Sequence, residues 1–339
     1  MTTDSLWKEI LEYGRWAPSP HNIQSWRFRI EDAAIVTLLY DPDRLLPDTD
    51  PSGRFCMVGF GILLELLSIA ASPHGLKVVA SYDCGDTRLD PGKVGPQPLA
   101  RLRLVKRTGT EVEPLDRQLI LDRRTSRLPY DDRPVDASVL AELATVAASF
   151  GHKLEFSSDP EEVAWVVALN AKTMFFDMSE PLARNEVGSW IRYSRAEAKR
   201  KADGLAAYAM NFPGWLMSIF VKHNWLFRIP GIYQFTQAVY VRSMRGTRTV
   251  AWISGPFAVH EDWENTGRMM ARLWLTMTRH GVYLHPFGSV ITNGKAHELM
   301  ADHFANPDRE HDLWMLVRLG HSDLPPKAWR LTLDQLLVD

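Results

Sequence analysis

The stretch GFGILLELLSIAAS, Gly59 to Ser72, is too apolar to lie on a surface. A helix that is hydrophobic all round has to be enclosed by other elements, so this segment predicts a buried helix at the centre of a core. A matching device returns later in the chain. Gly61 is followed thirteen residues on by His74-Gly75-Leu76, and Gly267 thirteen residues on by His280-Gly281-Val282. In both places a glycine stands where a helix closes, and a β-rich segment follows. Each unit also has a later β-rich stretch, Leu102–Val105 in the first and Leu313–Leu319 in the second. Repetition of this kind predicts an internally duplicated α+β unit. The halves run from about 1 to 113 and from 114 to 339, the second enlarged between about 175 and 250.

Local patterns fill in the first half. Leu6, Trp7, Ile10 and Leu11 have helical spacing over residues 4–15, and Trp26–Ile30 with Ile35–Tyr40 reads as a strand hairpin. Leu76–Tyr82 and Ala100–Lys106 read as further strands. In the second half a helix is expected over 136–149. The segment Phe212–Val241 is apolar and aromatic but is broken by Lys222, His223, Arg228, Pro230 and Gln234. That makes a lid or a packing element a better reading than a membrane-surface segment.

Composition removes several classes. Lys plus Arg number 39 against 41 Asp plus Glu, which gives no support to a nucleic-acid partner. Two cysteines, Cys56 and Cys84, cannot build a disulfide framework or a thiolate metal site, and a reducing, cytoplasmic setting fits them. The start MTTDSLWKEI does not read as a signal peptide, and no run of eighteen uninterrupted apolar residues reads as a membrane span. HELMADH, His297 to His303, has Ala301 where the zinc motif requires His. Asp48–Gly59 starts like a calcium loop but ends in Gly where Glu is needed. No metal is expected. His74 and His280 are expected to cap helix ends through the terminal carbonyls.

Two stretches carry polar chemistry. RWAPSPHNIQSW, residues 15–26, packs Ser19, His21, Asn22 and Gln24 between two prolines and a strand. It is either simple punctuation or a loop shaped around a polar planar ligand. RRTSRLPY places Arg123, Arg124 and Arg127 around Thr125 and Ser126. Basic runs are commonly solvated faces. Short hydroxyls among guanidinium groups favour a phosphate dianion instead. Each half has one of these stretches and lacks the other.

Taken together the motifs resemble the FMN-dependent nitroreductases, and among them a tandem, single-chain branch. PSPHNIQSW resembles the family's Pro-Ser-x-x-Asn-x-Gln-Pro-Trp loop, with Ser25 where Pro is usual, and RRTSRLPY resembles its Arg-rich phosphate segment. GVYLHPFGS, Gly281 to Ser289, resembles the segment whose backbone faces flavin N5, with Gly288 where many relatives have an acidic residue. PPKAWRLTLDQLL resembles the C-terminal stretch that returns a cation to the phosphate, Arg330 matching better than Lys327.

The resemblance implies an α+β pseudo-dimer of mostly antiparallel sheets flanked by helices, with one FMN site per chain. Pro18, Ser19, Asn22 and Gln24 would line or support the ring side, and Arg123, Arg124, Thr125, Arg127 and Arg330 the phosphate. The backbone of Gly288 and Ser289 would face N5. No catalytic side chain is implied. The implied activity is transfer of hydride from NADH or NADPH through FMN to a nitroaromatic, quinone or similar acceptor by a monomer. The alternative is an FMN storage protein whose 175–250 insert closes the ring face.

Overall fold

The computed structural model describes residues 3–338 except 33, 83–87, 110–111, 224, 227–228, 230 and 305–312. Cys84, Arg228 and Pro230 therefore lie outside the described residues. The chain opens with α1 (Thr3–Gly14), then the hairpin β1 (Trp26–Ile30) and β2 (Ile35–Tyr40). Next come α2 (Arg54–Ala71), β3 (Leu76–Ser81) and β4 (Gln97–Lys106). The four strands form one antiparallel sheet in the order β1-β2-β4-β3.

A short α3 (Gln118–Asp122) leads to α4 (Ala137–Ala148) and β5 (Lys153–Ser157). A long excursion follows: α5 (Pro160–Asp177), α6 (Pro181–Trp190), β6 (Ile191–Arg192), α7 (Arg195–Lys201), β7 (Leu205–Ala206), α8 (Gly214–Lys222) and α9 (Ile232–Ser243). The chain then resumes with β8 (Thr249–Ser254), α10 (His260–Arg279), β9 (Tyr283–Pro286), α11 (Gly288–Thr292), α12 (Gly294–His303), β10 (Leu313–Gly320) and α13 (Leu333–Leu336). The second antiparallel sheet has the order β5-β8-β10-β9. Exchanging β1, β2, β3 and β4 for β5, β8, β9 and β10 turns one strand order into the other. The fold is α+β, and the same sheet topology occurs twice.

The centre of the molecule is the pairing of α2 with α10. Gly61 and Gly267, matched by the sequence repeat, meet at the crossing. A Cβ on Gly61 would run into the carbonyl of Glu264, and one on Gly267 into the carbonyl of Val58 and the Cα of Gly61. Only glycine allows two backbones this close. Around the crossing, Phe60, Leu63, Leu67, Leu273 and Leu275 are buried with Trp7, Ile10 and Leu11 of α1. Truncating such a leucine costs about 2–5 kcal/mol. The lone carboxylate of α2, Glu65, is buried and paired with Arg272 at 2.6 Å and Arg268 at 3.4 Å.

Several sequence expectations are corrected. The buried helix starts at Arg54, not Gly59, because the Asp50 carboxylate accepts from Cys56 N at 2.9 Å and Phe55 N at 3.3 Å and so anchors an earlier turn. Its counterpart starts at His260, where Asp262 accepts from Ala258 N at 2.8 Å and Val259 N at 3.0 Å. His74 and His280 do not cap carbonyls; they pair with Glu9 at 3.3 Å and Glu142 at 2.8 Å. Gly75 and Gly281 close the two helices, with φ of 68° and 65°.

By strand connection the enlargement starts at α5 rather than near 175, since it fills the gap between β5 and β8. Val163, Val166, Val167 and Leu169 of α5 share a second core with Phe287, Val290, Met300 and Leu316. The stretch Arg54–His74 is long and apolar enough to cross a membrane, but 89% of its most apolar window is buried inside the protein. The C-terminus returns to the first sheet, where Val338 N donates to Phe28 O at 2.9 Å beside β1.

Candidate functional site

Between α1 and β1 the chain makes a tight turn in which three residues that are not glycine, His21, Asn22 and Gln24, have φ of 47°, 57° and 52°. Left-handed backbone costs such residues about 1–2 kcal/mol each, so the surroundings must impose it. Ser19 Oγ accepts from Gln24 N at 3.0 Å, and Ser19 O accepts from Asn22 N at 3.0 Å. Gln24, fully buried, donates from Nε2 to Ala202 O at 3.0 Å and accepts at Oε1 from Leu331 N at 2.9 Å. Asn22 donates from Nδ2 to Gly204 O and Trp329 O, both at 3.1 Å. The loop is thus stapled to the insert and to the C-terminal segment. Asn22 Oδ1 is buried with no hydrogen-bond partner among the described residues. Beneath the loop, Ser19 and Pro20 rest against Gly59 of α2.

A cation cluster adjoins it. Arg123 is buried over the Trp274 ring at 4.6 Å, and its Nε and Nη1 have no partner among the described residues. Arg124 Nε and Arg330 Nε are buried in the same condition. Arg330 stands between Trp329 and Leu331, the two residues that hold Asn22 and Gln24. Lys327 lies over Trp16 at 3.5 Å and donates to Leu121 O at 2.7 Å. Burial, then Arg330 and Arg124, pushes Arg123 down to about 9. Burial and Arg15 push Arg330 down to about 10. Burial and the three arginines push Lys327 down to about 8. Asp122, the carboxylate that opposes the lowering of Lys327 and Arg124, is exposed. Unpaired buried cations cost several kcal/mol each, and an anion with oxygens on several sides relieves that cost.

The remaining predicted residues divide. Thr125 meets Leu284 of β9 through its backbone and Ser126 N donates to Leu284 O at 3.2 Å, while the buried Ser126 hydroxyl is engaged with Ser322, just past β10, at 2.8 Å. Arg127 has other charged neighbours than Arg123. Its charge acts on His21, pushed down to about 4 chiefly by burial, and on His285, pushed well down by burial and Arg318. Tyr240 and Tyr130 are the groups that favour its charge. Gly288 opens α11 beside α5 and β10, and the Ser289 hydroxyl bonds Asp177. No described hydrogen bond ties Gly288 or Ser289 to Asn22 or to the arginines. The link runs along the chain through His285 on β9. For Pro18 the structure adds its place at the start of the loop.

No family model matches the chain. Over 181 residues it is 30% identical to "Putative NAD(P)H nitroreductase acg" of Mycobacterium tuberculosis, a match covering 53% of this chain and 53% of that protein. The likeness over that half of the chain is to a protein named as a nitroreductase. A second nitroreductase-named protein of that organism is 29% identical over 162 residues, 48% of this chain and 44% of the other. The matched stretch thus spans about half the length of these curated relatives. Among solved structures, the FMN-dependent nitroreductase NfnB of Mycobacterium smegmatis in complex with NADPH covers 64% of this chain and 94% of its own at 16% identity, with a TM-score of 0.37.

Sequence reasoning passed over four features of the site. His21 was read only as a polar loop residue, although its Nδ1 is buried without a partner among the described residues. Trp274, not singled out in the sequence, floors Arg123. Ala202 and Gly204 of the insert, at φ of 55° and 74°, bind Gln24 and Asn22. Asp203 between them is buried against Arg192 at 2.7 Å and Arg44 at 3.2 Å, which locks this part of the insert to the loop. The Ala-Asp-Gly turn was the available signal.

Proposed function

We propose that the chain is an FMN-dependent oxidoreductase that draws reducing equivalents from NADH or NADPH and passes them to a nitroaromatic, quinone or similar acceptor. The observation that carries this reading is the set of buried guanidinium atoms of Arg123, Arg124 and Arg330 that have no partner among the described residues, beside a left-handed loop whose Asn22 Oδ1 is likewise without one. When bound, FMN supplies the hydride chemistry at N5. Arg123, Arg124 and Arg330 hold its phosphate, with Lys327 adding charge. Asn22 orients the ring through Oδ1, while Ser19 and Gln24 keep the loop in shape. Arg127 serves the inner, ring-side end, with the uncharged imidazole of His21 beside it. By the sequence resemblance, the backbone at Gly288 and Ser289 would serve the ring side.

The halves 1–113 and 114–339 form a pseudo-dimer, one giving the loop and the other the arginines, so a monomer with one FMN per chain follows. The doubled sheet topology and the Gly61–Gly267 crossing support this division. The clamp of Ala202 and Gly204 on the loop also favours a second reading, FMN storage under a closed insert. Anaerobic mixing of the FMN-loaded protein with NADPH tests the choice. Bleaching of the flavin within seconds is expected of the oxidoreductase, and no bleaching over hours leaves storage.

A further inference from the structure

A cleft of about 440 Å3 lies between the insert and the C-terminal segment, walled by Arg195, Lys199, Tyr208, Lys327 and Trp329. Its walls are held in place. The Arg195 guanidinium sits over the Tyr208 ring at 4.7 Å, the Lys199 ammonium over the Trp329 ring at 5.8 Å, and the Tyr208 hydroxyl donates to Lys327 O at 3.1 Å. Glu197 of α7 is engaged elsewhere, accepting from Tyr193 N at 2.9 Å and pairing with Lys201 at 3.5 Å. No carboxylate is among the lining residues. Lys327 is shared, because its charge also meets Arg123, Arg124 and Arg330. The cleft therefore abuts the cation cluster but draws two further cations from the insert. Cations without acidic partners suit a phosphate, and the two aromatic faces suit a flat base.

We propose that this cleft takes the adenosine 2′-phosphate end of NADPH, with Arg195 and Lys199 on the phosphate and Tyr208 or Trp329 against the adenine. The insert thereby selects NADPH over NADH, whose 2′-hydroxyl would leave both cations unpaired. This rests on the reading of FMN at Arg123, Arg124 and Arg330. The phosphate of FMN is a second source of the same chemistry, and the test separates the two.

The FMN-loaded protein is titrated with adenosine 2′,5′-bisphosphate and with adenosine 5′-monophosphate, for wild type, R195A, K199A and the double variant. Flavin content is measured on each. One or two charge-assisted bonds should make the bisphosphate bind about ten- to a hundredfold tighter in wild type. The double variant should bind the two nucleotides alike while keeping its flavin, and its KM for NADPH should rise while that for NADH stays. R195K should keep part of the preference. Equal binding by wild type, or a preference that survives the double substitution, overturns the proposal. A double variant that loses FMN and keeps the preference also overturns it, giving the cleft to FMN and leaving the flavin reading intact. Arg195 and Lys199 are exposed, so their removal leaves the core untouched.

Discussion

Replacing Arg123 by Met separates what this residue costs the fold from what it gives a ligand. Its guanidinium is buried over Trp274, beside Arg330 and Arg124, with Nε and Nη1 unpaired among the described residues. Met is of similar length and packs well on an aromatic ring, so little contact with Trp274 is lost. Exchanging a buried charge for a well-packed apolar side chain is commonly stabilising by about 1–4 kcal/mol, and with no partner here to strand, the upper half of that range is expected. The direction of the pKa agrees. Burial and neighbouring cations lower the folded-state value from 12.5 to about 9, so folding penalises the charged form. That penalty is complete below about 9 and fades only as pH rises from there toward 12.5, so at pH 7 its full relief is available. Toward FMN the change runs the other way, since loss of one charge-assisted phosphate contact costs about 1.5–3 kcal/mol, or about ten- to a hundredfold in affinity. Urea denaturation of the flavin-free protein and FMN titration by fluorescence quenching measure the two effects. A variant that is less stable than wild type, or that binds FMN as tightly, refutes the reasoning.

Four further outcomes follow from the same geometry. FMN affinity should fall as pH rises through about 8, because Lys327 there loses its proton, whereas the flavin-free protein should gain stability from this group as pH rises from about 8 toward 10.5; K327M should flatten both profiles. Gln24→Leu leaves Leu331 N–H and Ala202 C=O buried and unpaired and should lower stability by about 2–4 kcal/mol in urea melts, with weaker FMN binding. Gly267→Ala forces apart the crossing of α2 and α10 and should cost about 3 kcal/mol or prevent folding, as read by circular dichroism. Asp203→Asn strands the buried Arg192 and should speed FMN release in stopped-flow displacement.

The fold was legible where the pattern was local. β1 and β2 matched their expected bounds because strong β-formers sit between turn signals, and the glycine-closed helices were placed by Gly75 and Gly281. Helix starts were missed because Asp50 and Asp262 anchor them through hydrogen bonds that spacing alone does not announce. In the site, the loop and the arginines stood out by composition. What they touch did not, since Asn22 meets Gly204 and Trp329 across 182 and 307 residues of chain. Arg127 lies close to Arg123 in sequence, yet the two charges keep different company, Arg330 and Arg124 for Arg123, and Arg318, Tyr240 and Tyr130 for Arg127. The company of His21 was likewise invisible, since it depends on Arg127 from the other half.

The central claim is that one loop from the first half and one set of arginines from the second make a single FMN site. Counting flavin released on denaturation from protein saturated with FMN, alongside its mass by light scattering, tests this most directly. The account predicts one FMN per chain on a monomer. Two FMN per chain, or a protein that takes up none, would contradict it.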